Sequence, residues 1–276
     1  MTERPAWMQP RFDDPAAPPG IDTSAAHPAR IWDYWLGGKD NFAADRATGD
    51  LILEAMPQMG ANARADRAFL GRAVRHLAAD AGIRQFLDIG TGIPTADNTH
   101  EVAQSAAPDS RVVYVDNDPV VLAHARALLV GDERGRTDYV HADLREPSDV
   151  LEQAARTLDF DRPVAVMLLG VLEFITDPGQ DAAIVRTLMD ALPSGSHLAV
   201  SVSTTEVDAA AMEEAARLWN EGGSTPLVLR TADELAALFD GLETVAPGVV
   251  PCTEWRPEPG ADTTPVAQYC AVGRRP

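Results

Sequence analysis

The sequence is short of cysteine, of lysine and of long apolar runs, and each shortage excludes something. Its two cysteines, Cys252 and Cys270, are too few for a disulfide framework in 276 residues, and no metal-ligand spacing surrounds them. Both lie in apolar, strand-like stretches where a thiol behaves as a small buried hydrophobe, which suits a reducing cytoplasm. The histidines (His27, His76, His100, His124, His141 and His197) are scattered, so no metal site is expected. No run approaches the roughly 18 apolar residues of a membrane span. Residues 1–20 hold no apolar core and are interrupted by Pro5, Pro10, Pro15, Pro18 and Pro19. They read as part of a mobile Pro-rich tail over residues 1–26, not as a signal peptide.

Basic charge is scarce as well. Against 42 Asp and Glu stand 23 Lys and Arg, giving a net charge of −19 and a pI near 4.5. That field repels phosphate backbones and anionic lipid, so neither nucleic acid nor membrane is expected, and a small molecule, peptide or protein partner is favoured. Arginine occurs 22 times and lysine once, at Lys39. GC-rich coding produces such a bias by itself, yet the single lysine falls in the most unusual segment of the chain.

What is present is a change of period near residue 83. Before it the pattern is helical: Ala29–Leu36 after Pro28, then Asp45 to about Met56, then Ala63–Ala81 with Phe69, Leu70, Val74 and Leu77 at helical spacing. After it, apolar runs alternate with amphipathic stretches. Strands are predicted at Gln85–Gly90, Arg111–Asp116, Thr137–Asp143, Pro163–Leu169 and Ser196–Ser203. The intervening helices are predicted at about Thr95–Ala107, from Pro119 to Val130, Ser148–Leu158 and Gln180–Leu192. This order implies a mostly parallel sheet covered on both faces. Helices at about Glu206–Glu221 and Ala232–Phe239 then precede two strand-like stretches, Leu242–Trp255 and Val266–Val272. The link between them has no room for a crossover helix, so they pair antiparallel. Five βα units closed by such a hairpin make a Rossmann-like seven-stranded α/β sheet. The N-terminal helices, residues 27–82, form a cap on a main domain at 83–276.

The site is expected at the carboxyl edge of that sheet. In Leu87–Thr95, LDIGTGIPT, a strand turns through Gly90, Thr91 and Gly92, letting backbone approach a ligand and aiming free N–H groups at it. The dinucleotide pattern G-x-G-x-x-G requires a third glycine where this chain has Thr95, which argues against a pyrophosphate. Asp116, next to Asn117, ends the second strand, where an acid accepts from both ribose hydroxyls; the alternative, a helix cap, already has Asp118. Asp143, next to Leu144, ends the third strand and is either an acceptor for an adenine amino group or a solvated acid. Asp88, Asp116 and Asp143 thus fall at the ends of three consecutive strands. Beyond the fourth, Gly170 gives clearance, Val171, Leu172 and Phe174 offer apolar walls, and Glu173 is either a polar contact or a helix-start acid.

The segment His27–Arg46, HPARIWDYWLGGKDNFAADR, resembles the signature P-x-R-[IV]-[YW]-D-Y-x-L-G-G-K-D-N-F of a bacterial S-adenosylmethionine-dependent methyltransferase family. QFLDIGTGIPT, VVYVDNDPVV, ADLREP and the stretch LRTADELAALFDGLETVAPGVVPCTEWRP are similar to that family too, so the likeness covers the chain after its tail. The resemblance implies the class I methyltransferase fold and S-adenosyl-L-methionine as cofactor. It supplies no acceptor. Read from its residues, the same stretch is a cap in which Lys39 meets the cofactor's carboxylate and Asn41 or Asp40 its ammonium or the acceptor, while Trp32, Tyr34 and Trp35 either face the sulfonium or the acceptor or pack the helix. Transfer would be direct displacement onto a small-molecule acceptor, with Tyr34, Asp40, His141 and Glu173 as candidate bases. Two rivals remain: a non-catalytic S-adenosylmethionine sensor, and an NAD(P)-dependent oxidoreductase, which Thr95 and the terminal hairpin disfavour.

Overall fold

The computed structural model describes residues 22–94, 96–119, 121, 132–222 and 225–276. Most of the expected tail, Thr95 and most of the helix expected after Pro119 lie outside these residues. Three helices come first, α1 (Pro28–Trp35), α2 (Ala43–Ala55) and α3 (Met59–Ala79). The strands are β1 (Gln85–Ile89), β2 (Arg111–Asp116), β3 (Arg136–His141), β4 (Ala165–Leu169), β5 (His197–Ser203), β6 (Glu243–Thr244), β7 (Val250–Pro251) and β8 (Gln268–Arg274). Between them run α4 (Thr99–Ala106), α5 (Pro147–Ala154), α6 (Gln180–Asp190), α7 (Ala209–Glu221) and α8 (Ala232–Ala237).

The sheet order is β3-β2-β1-β4-β5-β8-β6, with β7 also on β8. The first five strands pair parallel, and β8 lies antiparallel to β5 with Ser201 opposite Cys270. The expected C-terminal antiparallel arrangement is therefore present. Its first arm differs in detail, being two short strands on either side of Pro247 and Gly248 that meet opposite ends of β8. Pro247, which has no N–H to give the ladder, lies in the break between them.

Successive strand residues face opposite ways, and the packing follows. Leu87, Ile89, Val113, Val115, Val166 and Leu168 pack with α5 and α6 through Val150, Ile184 and Leu188. Phe86, Val112, Tyr114, Ala165 and Met167 pack with α3 and α4 through Phe69, Val74, Leu77 and Ala103. Thus α3 forms part of the sheet's own cover. A third core joins α1 and α2 to α7, with Ile31, Trp35, Ile52 and Met56 against Met212, Ala215 and Trp219. Two boundaries moved for local reasons. The fourth helix starts at Thr99 because Asn98 and Glu101 form a capping box, the Asn98 N–H donating to Glu101 Oε2 at 2.7 Å. Strand β3 stops at His141, which leaves Asp143 in the loop beyond it.

Candidate active site

One cleft opens over the carboxyl ends of β1 to β4 and holds about 1230 Å³ of atom-free space counted out to its mouth. Asp88, Gly90, Thr91, Gly92, Asp116, Asn117, Asp143, Leu144 and Gly170 all line it. The three strand-end acids thus share one rim.

The glycine bend is built for close approach. Gly90 has φ +75° and a Cβ there would stand 2.4 Å from Val171, while Gly92 has φ +63°. Side chains are excluded at the first by space and disfavoured at both by conformation. The Gly92 N–H donates to Asp116 Oδ2 at 3.0 Å and the Asp118 N–H donates to Oδ1 at 2.9 Å. Burial pushes the Asp116 carboxyl up, and these two donors oppose it. A carboxylate has about four lone-pair sites, so two acceptor positions are left for a ligand. Asp88 accepts from the Thr99 hydroxyl at 2.6 Å, and burial pushes it up to about 6. Asp143 is gripped by Arg145 Nε at 2.9 Å and Nη2 at 2.6 Å, which holds its carboxyl below the ordinary value.

The N-terminal segment reaches the cleft with His27, Pro28, Ala29, Trp32, Asp33 and Leu36, whereas Lys39, Asp40 and Asn41 are not among the lining residues. The GGKDN bend is folded around Asp33. Its Oδ2 accepts from the Asp40 N–H at 2.9 Å and from Asn41 Nδ2 at 2.8 Å, and a Cβ on Gly38 would fall 1.9 Å from its Oδ1. Buried Asp45 clasps the start of α1 in the same manner, accepting from the His27 N–H at 2.9 Å, Arg30 Nε at 3.2 Å and the Phe42 N–H at 2.8 Å. Much of the signature is therefore a clasp that fixes α1 over the sheet edge and delivers Trp32 to the cleft. Lys39 is exposed on the outside of the bend.

The other expected bases stand apart. The Tyr34 hydroxyl donates to Asp50 of α2, which together with burial pushes it up to about 12. His141 is exposed, with Nε2 3.1 Å from the Asn117 carbonyl oxygen. Glu173 is 2% exposed and accepts from the Ser203 N–H at 2.9 Å; burial pushes it up to about 7. It borders a smaller apolar pocket with Trp35, Met212 and Trp219.

Among the lining residues not anticipated are Asp66 and Arg67, on α3, with Asp66 beside Gly170. A signal existed: Asp66 occupies the i position of the apolar stripe Phe69, Leu70 and Ala73, so the helix that buries those residues buries a carboxyl with them. Among the described residues no cluster of His, Cys, Asp and Glu could hold a metal ion, and no helix is long and apolar enough to cross a membrane.

The chain resembles proteins with this architecture closely. It is 46% identical to a DUF574-family protein of Streptomyces avermitilis, with a TM-score of 0.88 over 92% of this chain and 99% of that one. It is 41% identical to a putative methyltransferase of Thermobifida fusca, with a TM-score of 0.86 over 94% and 98%. A mitomycin 7-O-methyltransferase, 21% identical at a TM-score of 0.50 over 90% and 69%, shares the fold. No curated protein matches. The family model for S-adenosyl methyltransferases matches residues 14–276. The chain belongs to the S-adenosyl methyltransferase family, and its cofactor is S-adenosyl-L-methionine.

Proposed function

We propose that the chain is an enzyme that methylates a small-molecule acceptor in the cytoplasm, at the end of the cleft walled by Trp32, Gly170, Val171 and Phe174. The bound cofactor supplies a methyl carbon already activated by its sulfonium, which an acceptor O, N, S or C nucleophile displaces in line. The single observation that carries the reading is Asp116. It is anchored to the glycine bend and to Asp118 through one N–H on each oxygen, with acceptor positions to spare at the lip of the cleft. Those acceptors fit the two hydroxyls of a ribose. Asn117, beside Asp116, and Asp143 and Leu144, one strand away, form the adenine end, and Gly90 and Gly92 carry no side chain beneath the sulfur.

The protein's contribution is then orientation and exclusion of water, which in well-aligned systems lowers a barrier by roughly 7–11 kcal/mol. Within residues 27–82, α1 and α2 act as the cap and α3 as the joint to the domain at 83–276. Asn41 braces the bend beneath Asp33, and Lys39 rides on it.

Titration calorimetry with S-adenosylmethionine against NAD and NADP tests the assignment. The account expects binding of the first alone. Asp116→Ala is expected to weaken it by roughly 1–3 kcal/mol, the cost of lost hydrogen bonds to a charged, buried group. Unchanged affinity in that variant would remove the ribose contact from the account. A second reading, a non-catalytic S-adenosylmethionine-binding protein, is favoured by one observation: Tyr34, Asp40, His141 and Glu173 do not line the cleft. It predicts cofactor binding with no S-adenosylhomocysteine release across a broad acceptor panel.

A further inference from the structure

We propose that Asp66 and Arg67, two neighbouring residues of α3, bind the amino-acid end of the cofactor, Asp66 its ammonium with Asp88 beside it and Arg67 its carboxylate. The inference rests on the cofactor reading above and extends it to a subsite.

The sheet order supplies the first part of the argument. From β3 through β2 and β1 to β4 the strand ends present Asp143, then Asp116, then the glycine bend with Asp88, then Gly170. Strands lie about 4.8 Å apart, so a ligand stretched along that edge covers about 14 Å in three steps. With adenine at β3 and ribose at β2, the chain beyond the sulfur runs over the gap between β1 and β4. Asp66 stands there, 6% exposed, with its Oδ2 3.9 Å from where a Cβ on Gly170 would be.

Charge supplies the second. The donor that reaches Asp66 is neutral, the Ser201 hydroxyl. Asp88, on the adjoining floor, likewise accepts from a neutral group, the Thr99 hydroxyl. Burial pushes both carboxyls up to about 6; the Asp66 charge adds to the rise at Asp88, and the Arg67 guanidinium opposes it at both. A buried carboxylate is stabilised most by a hydrogen-bonded cation, and an ammonium arriving with the ligand is one. Arg67 lies one residue further round the helix. Its Nη2 donates to the carbonyls of Ala96 at 2.9 Å and Asp97 at 3.3 Å. Those contacts hold the guanidinium at the cleft and leave others of its five N–H donors for a carboxylate. A negative and a positive group side by side at one end of a cleft complement a zwitterion, and the methionine end of the cofactor is one.

Calorimetry with two ligands tests the assignment: S-adenosylhomocysteine, which carries the amino-acid chain, and 5′-methylthioadenosine, which lacks it. Asp66→Asn is nearly isosteric and retains an acceptor for Ser201. It is expected to weaken S-adenosylhomocysteine at least about tenfold and to leave methylthioadenosine within about twofold. Arg67→Gln, on a residue whose Nη2 donates to the loop carbonyls of Ala96 and Asp97, is expected to show the same selectivity, and it keeps the test decisive if Asp66→Asn does not fold. Equal losses for both ligands, or no loss for either, would overturn the proposal and hand Asp66 to the acceptor or to the scaffold. If the unaltered protein binds neither ligand, the cofactor reading fails first and the subsite with it.

Discussion

From its position after β4, Glu173 reads either as a polar contact for a ligand or as a helix-start acid. It does not line the cleft and is 2% exposed beside Trp35 and Trp219, with the Ser203 N–H as its donor. Its ordinary value of 4.5 is pushed up to about 7 by burial. Between those two values the folded chain keeps a proton that the unfolded chain has released, so stability falls as pH rises through that window, and the penalty is complete above it. Glu173→Gln carries no such penalty and keeps an acceptor for the Ser203 N–H. The variant is expected to gain on the unaltered protein by about 1–3 kcal/mol between pH 5 and pH 8, read as a widening difference in melting temperature. A difference that is flat with pH would mean the carboxyl is not buried as described. Asp66 was not anticipated. A charged residue within the stripe Phe69, Leu70 and Ala73 marks a buried acid, and that signal was readable, but only α3 lying on the sheet reveals which cleft it faces. Asp88, Asp116 and Asp143 were readable because strand ends in a parallel sheet share one edge.

At the scale of elements, the segment from α1 to α2 changes meaning most. Lys39, Asp40 and Asn41 were expected to meet the cofactor or the acceptor; Asp40 and Asn41 donate to Asp33, while Asp45 closes on His27, Arg30 and Phe42. Side-chain clasps of this kind join residues up to 18 apart and leave no periodic trace in a sequence. Gly38→Ala would drive a methyl group against the Asp33 carboxylate and is expected to cost roughly 1–3 kcal/mol of stability. Lys39→Ala, one residue on and exposed, is expected to stay within about 0.5 kcal/mol. Thermal melts of both variants check this. A neutral Gly38→Ala would show that Asp33 does not hold the bend. The five parallel strands were readable as short apolar runs ending in polar residues. The break between β6 and β7 was not, because two-residue edge strands owe their pairing to β8 and have little pattern of their own.

Over the whole molecule, what the sequence conceals is contact at long range. The third core brings Trp35 to 6.0 Å from Trp219, ring centre to ring centre, and so fastens the N-terminal helices to α7 beyond the fifth strand. That junction carries Trp32 to one side of the cleft while Gly170 and Val171 form the other. The net charge of −19 disfavours polyanionic ligands. The central claim is that one rim of strand ends seats an adenosyl group with its tail toward α3. A crystal structure with S-adenosylhomocysteine tests it most directly. The account predicts both ribose hydroxyls on Asp116, adenine beside Asp143 and Leu144, and the amino-acid end at Asp66 and Arg67. An adenosyl group seated elsewhere, or lying along the rim in the reverse direction, would contradict it.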